Sequence, residues 1–147
     1  MIRIYLDNCC FNRPFDDQSQ FKIKIESEAK LLIQEQIKNG EVELIWSFIL
    51  DYENKNNIDK RKQKEISLFE KYSKEYFIGT NKTLEIAKNF VTLGLKNKDA
   101  LHLASAVESQ CEYFITTDKG IINKNNIISE ITIINPIDFI IKLGESS

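Results

Sequence analysis

The sequence predicts an α/β fold of three layers: a central parallel sheet of four to five strands with helices over both faces. Three observations predict it. Strand-like segments alternate with helix-like ones along the whole chain. The strand-like segments are continuous apolar runs, as in Tyr113-Phe114-Ile115, which suits strands buried on both faces. Between them apolar residues recur at helical spacing, as at Phe21, Ile25, Ala29, Leu32, Ile33 and Ile37. The 147 residues suit one domain, 1–147, and no linker, repeat or low-complexity tract divides them.

Each element has a local reason. Residues 2–7 read as the first strand, apolar and β-branched. Asn12-Arg13-Pro14 and Asp16-Asp17 predict a loop, because these residues carry turn chemistry. A helix over 19–38 stops at Asn39-Gly40. The second strand, 42–46, closes at Ser47 and leads into helices over 48–55 and 58–73, the latter with a strongly polar face. A short third strand occupies 76–78. Leu84, Ala87, Phe90, Val91 and Leu95 predict the next helix, with Asn81-Lys82-Thr83 as its polar start. A further helix spans 99–110 and carries small residues at Ala100, Ala104, Ser105 and Ala106. The fourth and fifth strands are 113–117 and 131–134, and Pro136 opens a last helix over 137–143.

The net charge rules nothing out, and missing motifs narrow the field. Lys and Arg number 20 against 22 Asp and Glu, a net charge of -2, so no general basic excess draws phosphates. Nucleic-acid binding through a local patch or a bound cation stays open. The chain opens directly on a strand-like run with no leader-like segment, and no apolar stretch approaches the roughly 20 residues that cross a bilayer. Cys9, Cys10 and Cys111 are odd in number and lack metal spacing, and His102 is the lone histidine. A reduced, cytoplasmic protein without a Cys/His zinc site is expected. No GxxxxGK[ST] or GxGxxG cradles a nucleotide. Lys60, Arg61, Lys62 and Lys64 read as a solvated helix face, with a phosphate-contacting patch as the alternative.

The acids carry the functional signal. In an open parallel sheet, ligands gather beyond the carboxyl ends of the strands. Asp7 ends the first strand and Asp118 the fourth. Glu53 lies in the helix after the second strand, and Asp99 begins the helix that leads into the fourth. Singly, each has a plain explanation: Asp99 as a helix-start acid, Asp118 as a turn acid before Lys119-Gly120, Glu53 as a surface helix acid. Together they would repel and raise each other's pKa values, unless a divalent cation relieved them. Oxygen-only ligands favour Mg²⁺ or Mn²⁺.

Four segments resemble the PIN-domain ribonucleases, the family that includes the VapC-type toxins. Ile4-Tyr5-Leu6-Asp7 resembles the opening strand and first acid, and Ser47-Phe48-Ile49-Leu50-Asp51-Tyr52-Glu53 the segment with the second acid, placed on Glu53 rather than Asp51. Asp99-Ala100-Leu101-His102-Leu103-Ala104-Ser105-Ala106 resembles the third motif most specifically, and Phe114-Ile115-Thr116-Thr117-Asp118 the fourth. One departure stands out. The family's first acid is usually followed by Ser or Thr and then Asn, whereas here Asn8 and Cys9 follow. The run from Asp7 to Pro14 resembles a distinct subfamily.

The resemblance implies a PIN-like fold and metal-dependent hydrolysis of RNA phosphodiesters with one or two Mg²⁺ or Mn²⁺ ions. Asp7, Glu53, Asp99 and Asp118 would be the catalytic and metal-holding residues. Asn8 and Thr116 would support them from behind, and Arg13 is a candidate for substrate phosphate, with a structural loop role as its equal. The resemblance further implies an RNA substrate, a small antitoxin partner if the chain is the toxin of a type II toxin–antitoxin pair, and a homodimer; no membrane partner is expected. Phe69 and Tyr72 are candidate contact points. His102 is expected to pack between helices or bond a backbone carbonyl, Cys9 and Cys10 to act as small buried apolar residues, and Trp46 to join the core. Two rival readings stay open. One is a catalytically inactive PIN-like interaction module. The other is a Mg²⁺-dependent phosphatase of another α/β family, although Cys9 stands where a phosphoaspartyl enzyme carries its second aspartate.

Overall fold

The computed structural model describes residues 1–146. Its centre is a five-stranded sheet in the order β3-β2-β1-β4-β5, built from β1 (Ile2–Leu6), β2 (Val42–Ser47), β3 (Glu75–Phe77), β4 (Tyr113–Ile115) and β5 (Thr132–Ile134). Every neighbouring pair is parallel. Ile4, Tyr5 and Leu6 are each fully buried. Successive strand residues point to opposite faces, so three buried in a row require cover on both sides. The helices supply it: α1 (Asn8–Asn12), α2 (Phe21–Lys38), α3 (Phe48–Lys55), α4 (Lys60–Glu70), α5 (Asn81–Thr92), α6 (Asn97–Glu108), α7 (Lys119–Ile122) and α8 (Pro136–Ser146). Helix α2 packs against α8, and α5 against α6.

The order of strands matters for function. The chain runs outward from β1 through β2 to β3, then returns past β1 to lay down β4 and β5 on its other side. The order therefore reverses between β1 and β4, and a crevice opens at such a switch point beyond the carboxyl ends of the strands. Leu6 pairs with Ile115 there, and the Asp7 N–H donates to the Ile115 carbonyl at 2.9 Å. The sheet ladder ends at Asp7, so its side chain lies at the carboxyl edge of the sheet beside the switch point.

The structure corrects the expected loop after the first strand. Residues 8–12 form α1 and Arg13–Phe15 a 3₁₀ turn. Asp7 starts the helix by accepting from the Asn8 N–H, and Pro14 suits the first turn of the 3₁₀ segment because it has no N–H to satisfy. Turn chemistry was present, but it served helix ends rather than an open loop. The helix expected over 58–73 is shorter: Asp59 caps it by accepting from the Arg61 and Lys62 N–H groups, and it ends at Glu70. Four-residue α7, capped by Asp118, was not foreseen. Of the two candidate contact points, read as exposed, Tyr72 is so and Phe69 is not. Phe69 is half-buried against the core, and Tyr72 lies beyond α4 and is about half exposed. Trp46 is buried and meets Phe11 edge-on at 5.3 Å. No helix among the described residues is long and apolar enough to cross a membrane.

Candidate active site

Asp7 is 5% exposed, and a carboxylate so deeply placed must be held by donors. Its Oδ1 accepts from the Asn8 backbone N–H at 2.8 Å, and its Oδ2 accepts from Thr116 Oγ1 at 2.8 Å. Thr116 is in turn oriented from β4, because its Oγ1 accepts the Asp118 N–H at 3.1 Å. The hydroxyl thus ties the ends of β1 and β4 together. Cys9 joins this cluster: its Sγ lies 3.5 Å from Asp7 Oδ2, 3.4 Å from Thr116 Oγ1 and 3.4 Å from the Thr117 N–H. It is half-buried rather than a core residue, whereas Cys10 is fully buried.

Glu53 approaches the same mouth from α3. Its Oε2 accepts from the Asn8 side-chain amide at 3.3 Å, while Oε1 forms a short hydrogen bond with His102 Nε2. Asn8 therefore bridges two acids, its backbone serving Asp7 and its side chain Glu53. Burial pushes the Glu53 carboxyl up. The His102 hydrogen bond, the Lys98 ammonium and the Asn8 amide outweigh it and leave the group below its ordinary value. Asp51, two residues earlier, faces elsewhere: it pairs with Lys55 at 2.9 Å and accepts from the Tyr76 hydroxyl at 3.3 Å.

Asp99 sits in the first turn of α6 and is half-buried. No hydrogen bond or ion pair reaches its carboxylate among the described residues. Its pKa is raised, first by burial, then by the charges of Asp7 and Asp118, with His102 and Lys96 opposing. That places Asp7 and Asp118 each within electrostatic reach of Asp99. Asp118 itself is exposed and caps α7, accepting from the Gly120 N–H at 2.8 Å.

Arg13 points away from this cluster. Its guanidinium pairs with buried Glu26 at 3.0 Å and with Asp16 at 3.1 Å, a structural clasp between the 3₁₀ turn and α2. His102 is not bonded to a backbone carbonyl. It is 1% exposed, with Nδ1 2.6 Å from the Tyr5 hydroxyl and Nε2 on Glu53. The one signal in the sequence for this contact is the helical spacing of His102 from Asp99, which sets both on the same face of α6. Cys9 gave no such signal, because its position depends on the fold of α1.

The donor chemistry at the switch point fits a hard divalent cation. All four acids offer oxygen, and Asp99 carries a charge that its neighbours destabilise and no cationic side chain neutralises. The arrangement is open: among the described residues, no group of three or more His, Cys, Asp and Glu side chains is drawn together to hold an ion. Two of the acids are already engaged, Glu53 by His102 and Asp118 by the α7 cap.

No protein-family model and no curated protein matches the chain. Among solved structures, the fold is similar to a chain in the crystal structure of VapBC2 from Rickettsia felis bound to a DNA fragment from their promoter. The TM-score is 0.58 at 14% identity, over 91% of this chain and 98% of that one. The five-stranded parallel sheet with flanking helices is thus a PIN-like α/β arrangement.

Proposed function

We propose that this chain is a metal-dependent endoribonuclease whose acidic pocket lies at the switch point between β1 and β4. The observation that carries the reading is Asp99. It meets the crevice unpartnered, under the repulsion of Asp7 from the first strand and Asp118 from the fourth. Asp7 and Asp118, 92 positions before and 19 after Asp99 in the chain, both repel its charge, and a cation would relieve that repulsion. The sequence resemblance to PIN-domain ribonucleases and the PIN-like fold support the same assignment.

Asp7 and Asp99 would hold Mg²⁺ or Mn²⁺, with Glu53 and Asp118 at its flanks. When bound, such an ion supplies a Lewis acid that lowers the pKa of water and offsets phosphate charge. Thr116 and Asn8 keep the Asp7 carboxylate aimed into the crevice, since each oxygen has its own donor. Lys96 and Lys98, exposed at the start of α6, add positive charge beside the acids where an RNA backbone would pass.

The finer role is the toxin of a type II toxin–antitoxin pair. One feature supports a protein partner: a groove of about 710 Å³ between α2 and α4, lined by Leu31, Phe69 and Tyr72 with Lys30 at its floor. A second reading, an inactive interaction module, is favoured by the open geometry of the acids and by the commitment of Glu53 to His102.

Calorimetric titration with Mn²⁺ and cleavage of a mixed-sequence RNA separate the two. The nuclease reading expects Mn²⁺ binding and cleavage, both lost in Asp7→Asn and Asp99→Asn with circular dichroism unchanged. A wild-type chain that neither binds Mn²⁺ nor cuts RNA sinks it in favour of the interaction module.

A further inference from the structure

We propose that Ser47, Tyr5, His102 and Glu53 form a one-way hydrogen-bond chain, in which His102 is a positioning residue that fixes the Glu53 carboxylate at the acidic pocket. The service to a cation rests on the nuclease reading above; the direction of the chain does not.

The four residues come from four elements: the end of β2, the middle of β1, α6 and α3. Ser47 Oγ lies 2.6 Å from the Tyr5 hydroxyl, which lies 2.6 Å from His102 Nδ1, and His102 Nε2 meets Glu53 Oε1. Ser47 and Tyr5 are fully buried and His102 nearly so. The Tyr5 ring is stacked on Phe114 at 5.4 Å and edge-on to His102 at 5.8 Å, so packing holds the hydroxyl in place.

Proton accounting sets the direction. A carboxylate only accepts, so Nε2 carries the hydrogen that faces Glu53. The lone pair at Nδ1 then needs a donor, and the Tyr5 hydroxyl is the group beside it. With its one proton given to Nδ1, the Tyr5 oxygen accepts from Ser47. Ser47 Oγ already accepts the Leu50 N–H at 3.2 Å as the cap of α3, and its own proton goes to Tyr5. Every donor finds an acceptor. The reverse assignment fails at its far end. A hydrogen on Nδ1 would turn the Tyr5 proton toward Ser47 and strand the Ser47 proton, in a side chain with no exposed surface and no other acceptor.

The chain has a consequence for Glu53. Its Oε1 is held from α6 and its Oε2 by Asn8 from α1, so two donors on separate elements fix the plane of the carboxylate. His102 follows Asp99 by three residues, so one turn of α6 both presents Asp99 and locks Glu53.

The test uses the full-length chain, metal-free and ¹⁵N-labelled. His102 is its only histidine, so long-range ¹H–¹⁵N imidazole spectra report it without ambiguity. The expected pattern has the hydrogen on Nε2, with Nδ1 taking the Tyr5 proton as its hydrogen-bond partner. An Nδ1–H or imidazolium pattern overturns the direction. The positioning role is read by Mn²⁺ calorimetry on His102→Leu and His102→Gln. Losing the donor should weaken Mn²⁺ binding about 10–100-fold, and the glutamine amide, which still donates to Glu53, should restore most of it. Equal affinities for Leu and Gln overturn the role. If His102→Leu does not fold, Tyr5→Phe serves instead: it keeps the ring packing, removes the partner that holds Nδ1 and should weaken Mn²⁺ binding, an unchanged affinity overturning the role. A wild-type chain that binds no Mn²⁺ yet shows the Nε2–H pattern removes the nuclease reading and the cation role, while the chain itself stands.

Discussion

Replacing Lys30 with methionine should stabilise the protein near neutral pH, and the gain should vanish in alkali. Lys30 is 3% exposed on α2, at the floor of the groove facing α4. No carboxylate pairs with it; its ammonium lies 4.6 Å from the centre of the Phe69 ring and 5.5 Å from that of Phe11. Burial is the chief cause that lowers its pKa from 10.5 to about 8, with Lys38 adding to it and Cys10 and Glu65 opposing. At 1.36 kcal/mol per pH unit, that drop corresponds to about 3 kcal/mol lost on folding with the charge in place. The two rings return roughly 1–2 kcal/mol that methionine forgoes, so Lys30→Met should gain about 1–2 kcal/mol at pH 7. The folded pKa lies below the unfolded one, so between pH 8 and 10.5 the unfolded chain binds more protons and wild-type stability rises with pH. Urea unfolding of both proteins at pH 7, 8, 9 and 10 isolates Lys30, because every other titrating group cancels in the difference. With a rise of about 3 kcal/mol in wild-type stability, the difference should close within that window and then favour wild type. A constant difference, or a methionine variant less stable than wild type at pH 7, refutes the reasoning.

Thr116→Val removes the hydroxyl that donates to buried Asp7 and should destabilise by about 1–3 kcal/mol in chemical unfolding. Glu26→Gln leaves the Arg13 guanidinium with only Asp16; a loss of about 2 kcal/mol in a thermal or urea transition is expected, less than for a fully buried pair because Arg13 is partly exposed. Asp99→Asn should raise the metal-free melting temperature slightly at pH 7. The folded Asp99 pKa is raised, so its contribution is present at low pH and is lost as pH rises through that value; the gain should therefore disappear in acid. A lower melting temperature for Asp99→Asn at pH 7 would show that Asp99 is not under repulsion.

How legible the site was depends on which interaction placed each group. Asp7 could be read in advance because it follows directly on an apolar strand, and Asp118 because it lies three residues beyond β4, and a parallel sheet sends such ends to one edge. Glu53 and Asp99 followed from helix positions relative to those ends. Arg13 was ambiguous because an arginine in a loop serves phosphate or a carboxylate equally well, and the buried Glu26 that claims it lies on the next helix. The residues behind the site were hidden for the same reason. Tyr5 and Ser47 look like ordinary strand residues until folding brings them within 2.6 Å of each other across 42 positions.

The amino-acid order alone determined the layered α/β class, because the alternation of apolar strands with helical periodicity admits few other ways to bury both faces of a sheet. It set one carboxylate, Asp7, directly at the end of a strand. The tertiary structure decided how those acids are partnered. Whether a carboxylate is free, capped or bonded depends on donors contributed by distant elements, and hydrogen bonds reach only about 3 Å, a length at which local sequence carries no information about a partner some 50 to 100 residues away.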